Sequence, residues 1–266
     1  MKLLFAFIST LLVAVPASAQ LSPFNAAGIT YSHVHLNVTD IPLVTKIFVD
    51  HFGGVAVQKG TLQAVKLPNM LVAFRQAEPT DGSQGSVVDH FGFHVRDIAA
   101  VKDKWRAAGY KVTQEFTGAE GFPNAYLEGP GGLRIELQEK KDLPVIAAVN
   151  HVHFLTPDFE KLLDWYVETF SLTKRARGTI QTTADAGAVN LSFQTARTPT
   201  APTRGRTIDH IGFEVRNLEA FCKQLEAKGI KFDTPYRDVP SIGLKIAYIT
   251  DPSGAYIELT EGYDKY

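Results

Sequence analysis

Four segments of the chain open on a small polar residue followed by histidine. They read SHVHLNV at 32–38, DHFGFHV at 89–95, NHVHFLT at 150–156 and DHIGFEV at 209–215. His33, His90, His151 and His210 are thus 57, 61 and 59 residues apart, and seven of the eight histidines, all but His51, fall in these segments. A glutamate recurs only in alternate units. Glu136 lies in YLEGPGGLRIEL at 126–137 and Glu258 in YITDPSGAYIEL at 248–259. A single strand histidine is usually a packing or surface residue, and a single Glu between Ile and Leu is usually a solvated strand position. Recurrence at matched spacing argues for ligands. Two neutral imidazoles and a carboxylate suit iron(II), manganese, nickel, cobalt or zinc, and leave coordination positions open for a substrate. Cys222 is the one cysteine, so a multi-thiolate zinc site is excluded.

Positioning these residues takes four copies of one unit of about 60 residues. Each histidine segment alternates over seven residues and predicts a strand. A helix follows each: about Ile41 to Phe52, Ile98 to Ala108 capped by Asp97, Phe159 to Phe170 opened by Thr156-Pro157-Asp158, and Leu218 to Lys228 capped by Asn217. Pro157 is expected in the first helical turn, where its missing N–H costs nothing. Short strands complete each β-α-β-β-β unit. Units one and three end in LVAF (71–74) and VNLSF (189–193), without the glutamate. The repeat is therefore one of two modules, 30–140 and 148–262, joined at KKDLP (140–144). The fold class is α+β.

Period-two alternation turns Leu133, Ile135 and Leu137 toward the helices and Arg134, Glu136 and Gln138 the other way; Glu258 likewise faces away from Ile257 and Leu259. His33, His35 and Asn37 share a face, as do His151 and His153. If units pair one with two and three with four, the triads are His33, His90, Glu136 and His151, His210, Glu258. If one pairs with four and two with three, they are His33, His210, Glu258 and His90, His151, Glu136. Both arrangements are complete, and the sequence does not choose between them.

These units and strand ends resemble the vicinal oxygen chelate superfamily, the group of glyoxalases, bleomycin-resistance proteins and extradiol dioxygenases, over nearly all of the chain beyond the first 20 residues. The resemblance implies that paired units form eight-stranded half-open barrels around a divalent metal, and that a small substrate chelates the metal through neighbouring oxygens. His33, His90, Glu136, His151, His210 and Glu258 match the superfamily's ligand positions. Tyr248, ten residues before Glu258, resembles the extradiol signature, in which such a Tyr helps bind the catechol. That signature also carries a His shortly before the Tyr, where Asp238 to Gly243 has none, and an acid–base His near the end of unit three, where Asn190 to Gln194 has none. Glyoxalase-type lyases use a fourth ligand at the positions of Ala73 and Ser192. Three-ligand thiol transferases of the fosfomycin-resistance type share the His, His, Glu pattern. Tyr126 and Tyr248 are candidates to hydrogen-bond a metal-bound substrate oxygen. His35, His94, His153 and Glu214 are candidates for general base, and Arg96 and Arg216 for steering an anion, though both more commonly serve as surface or cap residues.

Composition narrows the partners. The formal net charge of −1 offers no field to attract nucleic acid or anionic membranes. Lys2, the apolar run Leu3 to Val15 and Ala17-Ser18-Ala19 form a secretory leader, with cleavage expected after Ala19 and the protein periplasmic or secreted. Beyond it no segment is long and apolar enough to span a bilayer. Three functions compete: a metalloenzyme acting on a small oxygenated molecule, a metal-free sequestering protein of the bleomycin-resistance type, and a partly degenerate scaffold with one live site. The intact triads favour the first. The loop ARTPTAPTRGR (196–206) is cationic and its counterpart AEPTDGSQG (77–85) is not; if these loops touch substrate, the two sites differ in preference.

Overall fold

The computed structural model describes residues 21–266; the expected leader over residues 1–19 lies outside the described residues. Unit one comprises β1 (Ile29–Val38), α1 (Ile41–Phe52), β2 (Val55–Lys59), β3 (Leu62–Leu67) and β4 (Met70–Gln76). Unit two comprises β5 (Val88–Val95), α2 (Ile98–Ala107), β6 (Lys111–Thr117), β7 (Pro123–Gly129) and β8 (Leu133–Glu139). Unit three comprises β9 (Ala147–Leu155), α3 (Phe159–Phe170), β10 (Thr173–Lys174), β11 (Thr183–Ala186) and β12 (Val189–Gln194). Unit four comprises β13 (Ile208–Val215), α4 (Leu218–Ala227), β14 (Phe232–Val239), β15 (Leu244–Thr250) and β16 (Tyr256–Glu261). The four-fold β-α-β-β-β order is as expected.

The helices form where apolar residues recur at helical spacing and a cap is at hand. Asp40, Asp97 and Asn217 each accept a backbone N–H three residues on, from Leu43, Ala100 and Ala220. Ile98, Val101 and Trp105 make the buried stripe of α2. The third helix departs from expectation: Pro157 lies ahead of it, and the N-cap Asp158 makes no side-chain capping bond. Pro42, in the first turn of α1, holds the position predicted for Pro157.

The pairing question is settled by the sheets. One has the order β14-β15-β16-β13-β1-β4-β3-β2, the other β10-β11-β12-β9-β5-β8-β7-β6. Unit one pairs with unit four and unit two with unit three, each across an antiparallel junction of histidine strands. The two interunit segments that cross between sheets hold each other: Thr80 N–H donates to the Gly205 carbonyl at 2.9 Å, and Ala201 N–H to that of Gly85 at 2.9 Å. Arg206 Nε donates to the carbonyl of Gly82 at 2.9 Å. Part of the positive charge in the 196–206 loop therefore ties the crossovers together.

Each sheet curls into a half-open barrel, its edge hairpins meeting at their turns. Thr179 N–H donates to the Ala119 carbonyl at 3.0 Å. A Cβ on Gly178 would lie 2.0 Å from that oxygen, and one on Gly60 would lie 2.6 Å from the Ser241 carbonyl oxygen. The helices pack on the convex faces within one continuous core. Phe52 stacks on Phe93 at 4.4 Å and Phe170 on Phe213 at 4.0 Å, so α1 and α3 each bridge to a neighbouring unit.

Candidate metal centres

Each histidine junction carries two β-bulges, and the extra residue is always the one before the histidine. Tyr31 pairs with Phe213 and His33 with Gly212, so Ser32 is skipped; His35 pairs with His210 and Leu36 with Ile208, so Asp209 is skipped. The same offsets skip Asp89 and Asn150 at the other junction. A bulge re-aims side chains, and here it brings three of the four polar residues onto the neighbouring imidazole. His90 Nδ1 lies 2.6 Å from Asp89 Oδ1, His210 Nδ1 2.7 Å from Asp209 Oδ1, and His33 Nδ1 2.9 Å from Ser32 Oγ. Asn150 turns instead to Gln138 Oε1, at 2.9 Å.

The glycines of units two and four complete the junctions. Gly92 faces His151 and Gly212 faces His33 across the strands. A Cβ would come within 2.2 Å of the His151 ring at Gly92, and within 1.9 Å of the His33 ring at Gly212. The glycine of each Asp-His-x-Gly segment therefore makes room for the ligand of the opposite unit.

Two buried clusters result, with candidate ligand atoms lying within 4.8 Å of one another in each. The first cluster joins His33, His210 and Glu258. The second joins His90, Glu136 and His151, with His153 as a fourth member. All six expected ligands are brought together, in the arrangement that pairs one with four and two with three. Sets mixing His33 with His90, or His151 with His210, do not form, because those strands lie in different sheets.

In the first cluster Glu258 Oε2 lies 2.9 Å from His33 Nε2 and 3.2 Å from His210 Nε2. In the second, Glu136 Oε2 lies 2.8 Å from His90 Nε2 and 3.3 Å from His151 Nε2. Burial opposes charge on His90 and His210, but bonds to Asp89 or Asp209 and to the glutamate outweigh it and raise both. Burial and the Arg177 charge push His151 down to about 4. Burial raises the cost of charge on both glutamates, yet their histidines hold them well below the usual carboxylate range.

This donor set fits a metal ion. Donation of Nδ1–H to Asp89 leaves the lone pair of a neutral His90 at Nε2, aimed at a carboxylate oxygen 2.8 Å away. Two acceptors so close require a proton or a cation between them, and aspartate on Nδ1 is the usual orienting contact of a metal-bound imidazole. Both ring nitrogens of His153 and Nδ1 of His151 are buried without a hydrogen-bond partner among the described residues, while His151 Nε2 stands at ion-pair distance from Glu136.

The surroundings differ. Tyr248, on β15, donates to Glu258 Oε1 at 2.6 Å, and Tyr263 lies over His33 with ring centroids 4.7 Å apart. An apolar cluster of Leu62, Ala64, Leu71, Ala73, Leu244 and Ile246 packs with Tyr263 inside this barrel. The second cluster instead opens into a cavity of about 310 Å³ lined by Glu136, His153, Tyr126, Phe116, Arg177 and Gln194. A larger cavity of about 690 Å³ adjoins it and takes in Arg134 and the start of the cationic loop, including Arg197.

The remaining candidates fall into place around these clusters. Tyr126 lines both cavities, its ring under the Arg134 guanidinium at 3.7 Å. Tyr248 is engaged with the ligand Glu258. His35 is tilted against His210 at 4.5 Å and pushed down to about 3 by burial and by His210, yet it is outside the ligand group. His94 lines a separate cavity with Glu120, Phe122 and Lys140. Glu214 accepts from Thr260 Oγ1 at 2.6 Å and from Gly262 N–H, which commits it to the turn before Tyr263. Arg216 lies over the Phe24 ring at 4.7 Å rather than at a cluster. Ala73 and Ser192, at the fourth-ligand positions of lyases, pair in register with His35 and His153. Sequence reasoning passed over Asp89, Asp209, Gly92, Gly212, Arg177 and Asn124, the last of which donates its amide to Glu136 Oε1. The recurring Asp before His and Gly two residues after it were visible signals for the first four.

The family model described as Glyoxalase/Bleomycin resistance protein/Dioxygenase superfamily matches residues 30–137 and 148–259. The chain belongs to this superfamily. Glyoxalase I from Zea mays is similar over 89% of this chain and 94% of its own, at 17% identity and a TM-score of 0.65. A proposed dioxygenase from Bacillus subtilis is similar over 91% of this chain and 88% of its own, at 14% identity and a TM-score of 0.68. At these identities the likeness establishes the fold and leaves the reaction to the residues. No curated protein matches the chain in sequence. The superfamily is one of metal-centre and metal-free members alike, so the donor set argued above carries the case for a metal.

Proposed function

We propose that the protein is a metalloenzyme of this superfamily that acts on a small oxygenated molecule at the second cluster. The observation that carries the proposal is that Glu136, clustered with His90 and His151, lines a cavity together with Tyr126 and His153. His90, His151 and Glu136 would hold a divalent ion, with Asp89 setting the His90 tautomer. Such an ion supplies Lewis acidity toward a substrate carbonyl or enolate oxygen.

This chain's own residues do the rest. Burial and the Glu136 charge keep the Tyr126 phenol protonated, so it can donate to a substrate oxygen. Burial and the neighbouring His90 and His151 keep His153 neutral, and neither ring nitrogen has a hydrogen-bond partner among the described residues, so it offers a lone pair to the cavity, as an acceptor or a weak base. Phe116 and Tyr126, 4.9 Å apart, give the cavity an apolar wall that limits water. A lyase, an isomerase and a ring-cleaving oxygenase would all use these parts. Export is part of the proposal, supported by the n-region, apolar core and A-x-A site of the first 19 residues.

Metal content tests it. Protein purified without a metal column should carry at least one divalent ion per chain by mass spectrometry, and Glu136→Gln should carry one ion fewer. Reconstitution with iron(II), manganese, nickel, cobalt or zinc should then restore turnover of one of a panel of vicinal-oxygen substrates. No metal as purified and no uptake of these ions would overturn the metalloenzyme and leave a sequestering protein as the better account.

A further inference from the structure

Arg177 lies between β10 and β11, and its side chain is 3% exposed. A buried guanidinium is costly unless its donors are matched. Nε donates to Ser192 Oγ at 3.2 Å, Ser192 donates to Asn190 Oδ1 at 2.9 Å, and Asn190 Nδ2 donates to Asp185 Oδ1 at 2.8 Å. This chain of bonds fixes the guanidinium in place. NH1 is buried with no hydrogen-bond partner among the described residues. Glu120 Oε2 stands 3.6 Å away, close enough to pair with its charge but beyond hydrogen-bond reach, and accepts no hydrogen bond among the described residues. Arg177 lines the 310 Å³ cavity that Glu136 and His153 also line.

The internal repeat sharpens the point. Lys59-Gly60-Thr61 leads into β3 as Arg177-Gly178-Thr179 leads toward β11, and Lys59 precedes Arg177 by the same 118 residues that separate His33 from His151. Lys59 Nζ lies over the Tyr266 ring at 4.7 Å, against the closed barrel. The open barrel thus carries, at the matching position, an immobilised guanidinium with a free donor.

We infer that Arg177 binds an anionic group of the substrate, so that the site is built for a small carboxylate-bearing molecule with an apolar or aromatic body. This rests on the second cluster being the active centre. A planar guanidinium presents paired donors to a carboxylate, while Phe116 and Tyr126 flank the body of the molecule and its oxygens face His153 and Glu136. Glu120 then acts as a gate charge, displaced from Arg177 when the anion enters.

The test uses the metal-stripped protein, with benzoate and the isosteric neutral benzamide as probes, followed by ligand-observed NMR titration. Wild type should bind benzoate at least tenfold tighter than benzamide. Arg177→Gln should abolish that preference while leaving benzamide binding unchanged. Arg177→Lys, which keeps the charge and loses the fork, should retain part of it and guards against a folding defect in the first variant. Glu120→Gln should strengthen benzoate binding by removing the competing carboxylate. Equal binding of both probes by wild type, or an unaltered preference in Arg177→Gln, would overturn the inference. Because no metal is present, these outcomes are separate from metal content, on which the metalloenzyme proposal stands or falls.

Discussion

The two barrels are built from the same repeat, yet their interiors have opposite character. Along β4 the residues opposite His33 and His35 are Leu71 and Ala73; along β12 those opposite His151 and His153 are Asn190 and Ser192. Ala64, opposite Ala73, has Thr183 as its counterpart opposite Ser192. Ile246 of β15 stands where β7 places Asn124, whose amide donates to Glu136 Oε1 at 2.5 Å. The first barrel has filled its interior with side chains, closed by Tyr263, and the second has kept a polar cavity. A ligand triad is therefore insufficient to mark an active centre: access and a polar wall must accompany it. The first cluster is enclosed by side chains, and the second has beside it a cavity with room for a small molecule.

The sharpest way to break this comparison is to remove one glutamate at a time. Glu136→Gln should lower kcat/KM by roughly a hundredfold or more, as expected when the charge that holds the metal is lost. Glu258→Gln should leave it within about threefold while lowering thermal stability, since a neutral amide cannot meet both buried histidines. Steady-state kinetics and thermal melts read both, and equal losses of turnover would show that both barrels are catalytic. A finer cut is Asp89→Asn against Asp209→Asn. Each should weaken its own cluster's metal affinity by roughly 10–100-fold in competition with a chelator, and Asp89→Asn alone should lower turnover.

Much of this was legible beforehand, and the illegible part has a physical cause. Strand and helix periodicities, the Asp97 and Asn217 caps and the six residues that gather into the two buried clusters follow from local pattern. Pairing did not, because the histidine strands of units one and three are interchangeable as partners for those of units two and four. Either junction sets a histidine against a glycine and completes a triad. The contrast between Leu71 and Asn190, or Ala73 and Ser192, was present as letters. It acquired meaning only when the register placed each beside a ligand. Arg177 lies in an irregular stretch with no period to give it a face, so only the fold could bring it to the cavity.

The closure of the first barrel carries a pH signature of its own. Burial pushes the Glu214 carboxyl up to about 7, against bonds from Thr260 and Gly262 that favour its ionised form. A folded-state value above the ordinary 4.5 means the native protein holds the proton more tightly than the unfolded chain. This contribution is fully present below about pH 4.5 and is lost as pH rises toward about 7, by up to about 3 kcal/mol. Denaturant titrations should show Glu214→Gln gaining relative to wild type between pH 5 and pH 8, on the order of 1–3 kcal/mol. A constant difference across that range would remove Glu214 as the titrating group.

The smallest expected effect compares the junctions most directly. Gly92→Ala and Gly212→Ala each add one methyl group where a ligand imidazole now lies, and each should cost about 1–3 kcal/mol of stability through overpacking. Backbone strain is not involved, because neither glycine has a positive φ. The methyl at Gly92 must displace His151, whose ring contributes to the open cluster, whereas that at Gly212 displaces His33 beneath Tyr263. The two variants should therefore melt at similar temperatures but diverge in turnover, with Gly92→Ala losing activity and Gly212→Ala keeping it. Matched losses of stability with matched activities would mean that His151 accommodates the added methyl without leaving the open cluster.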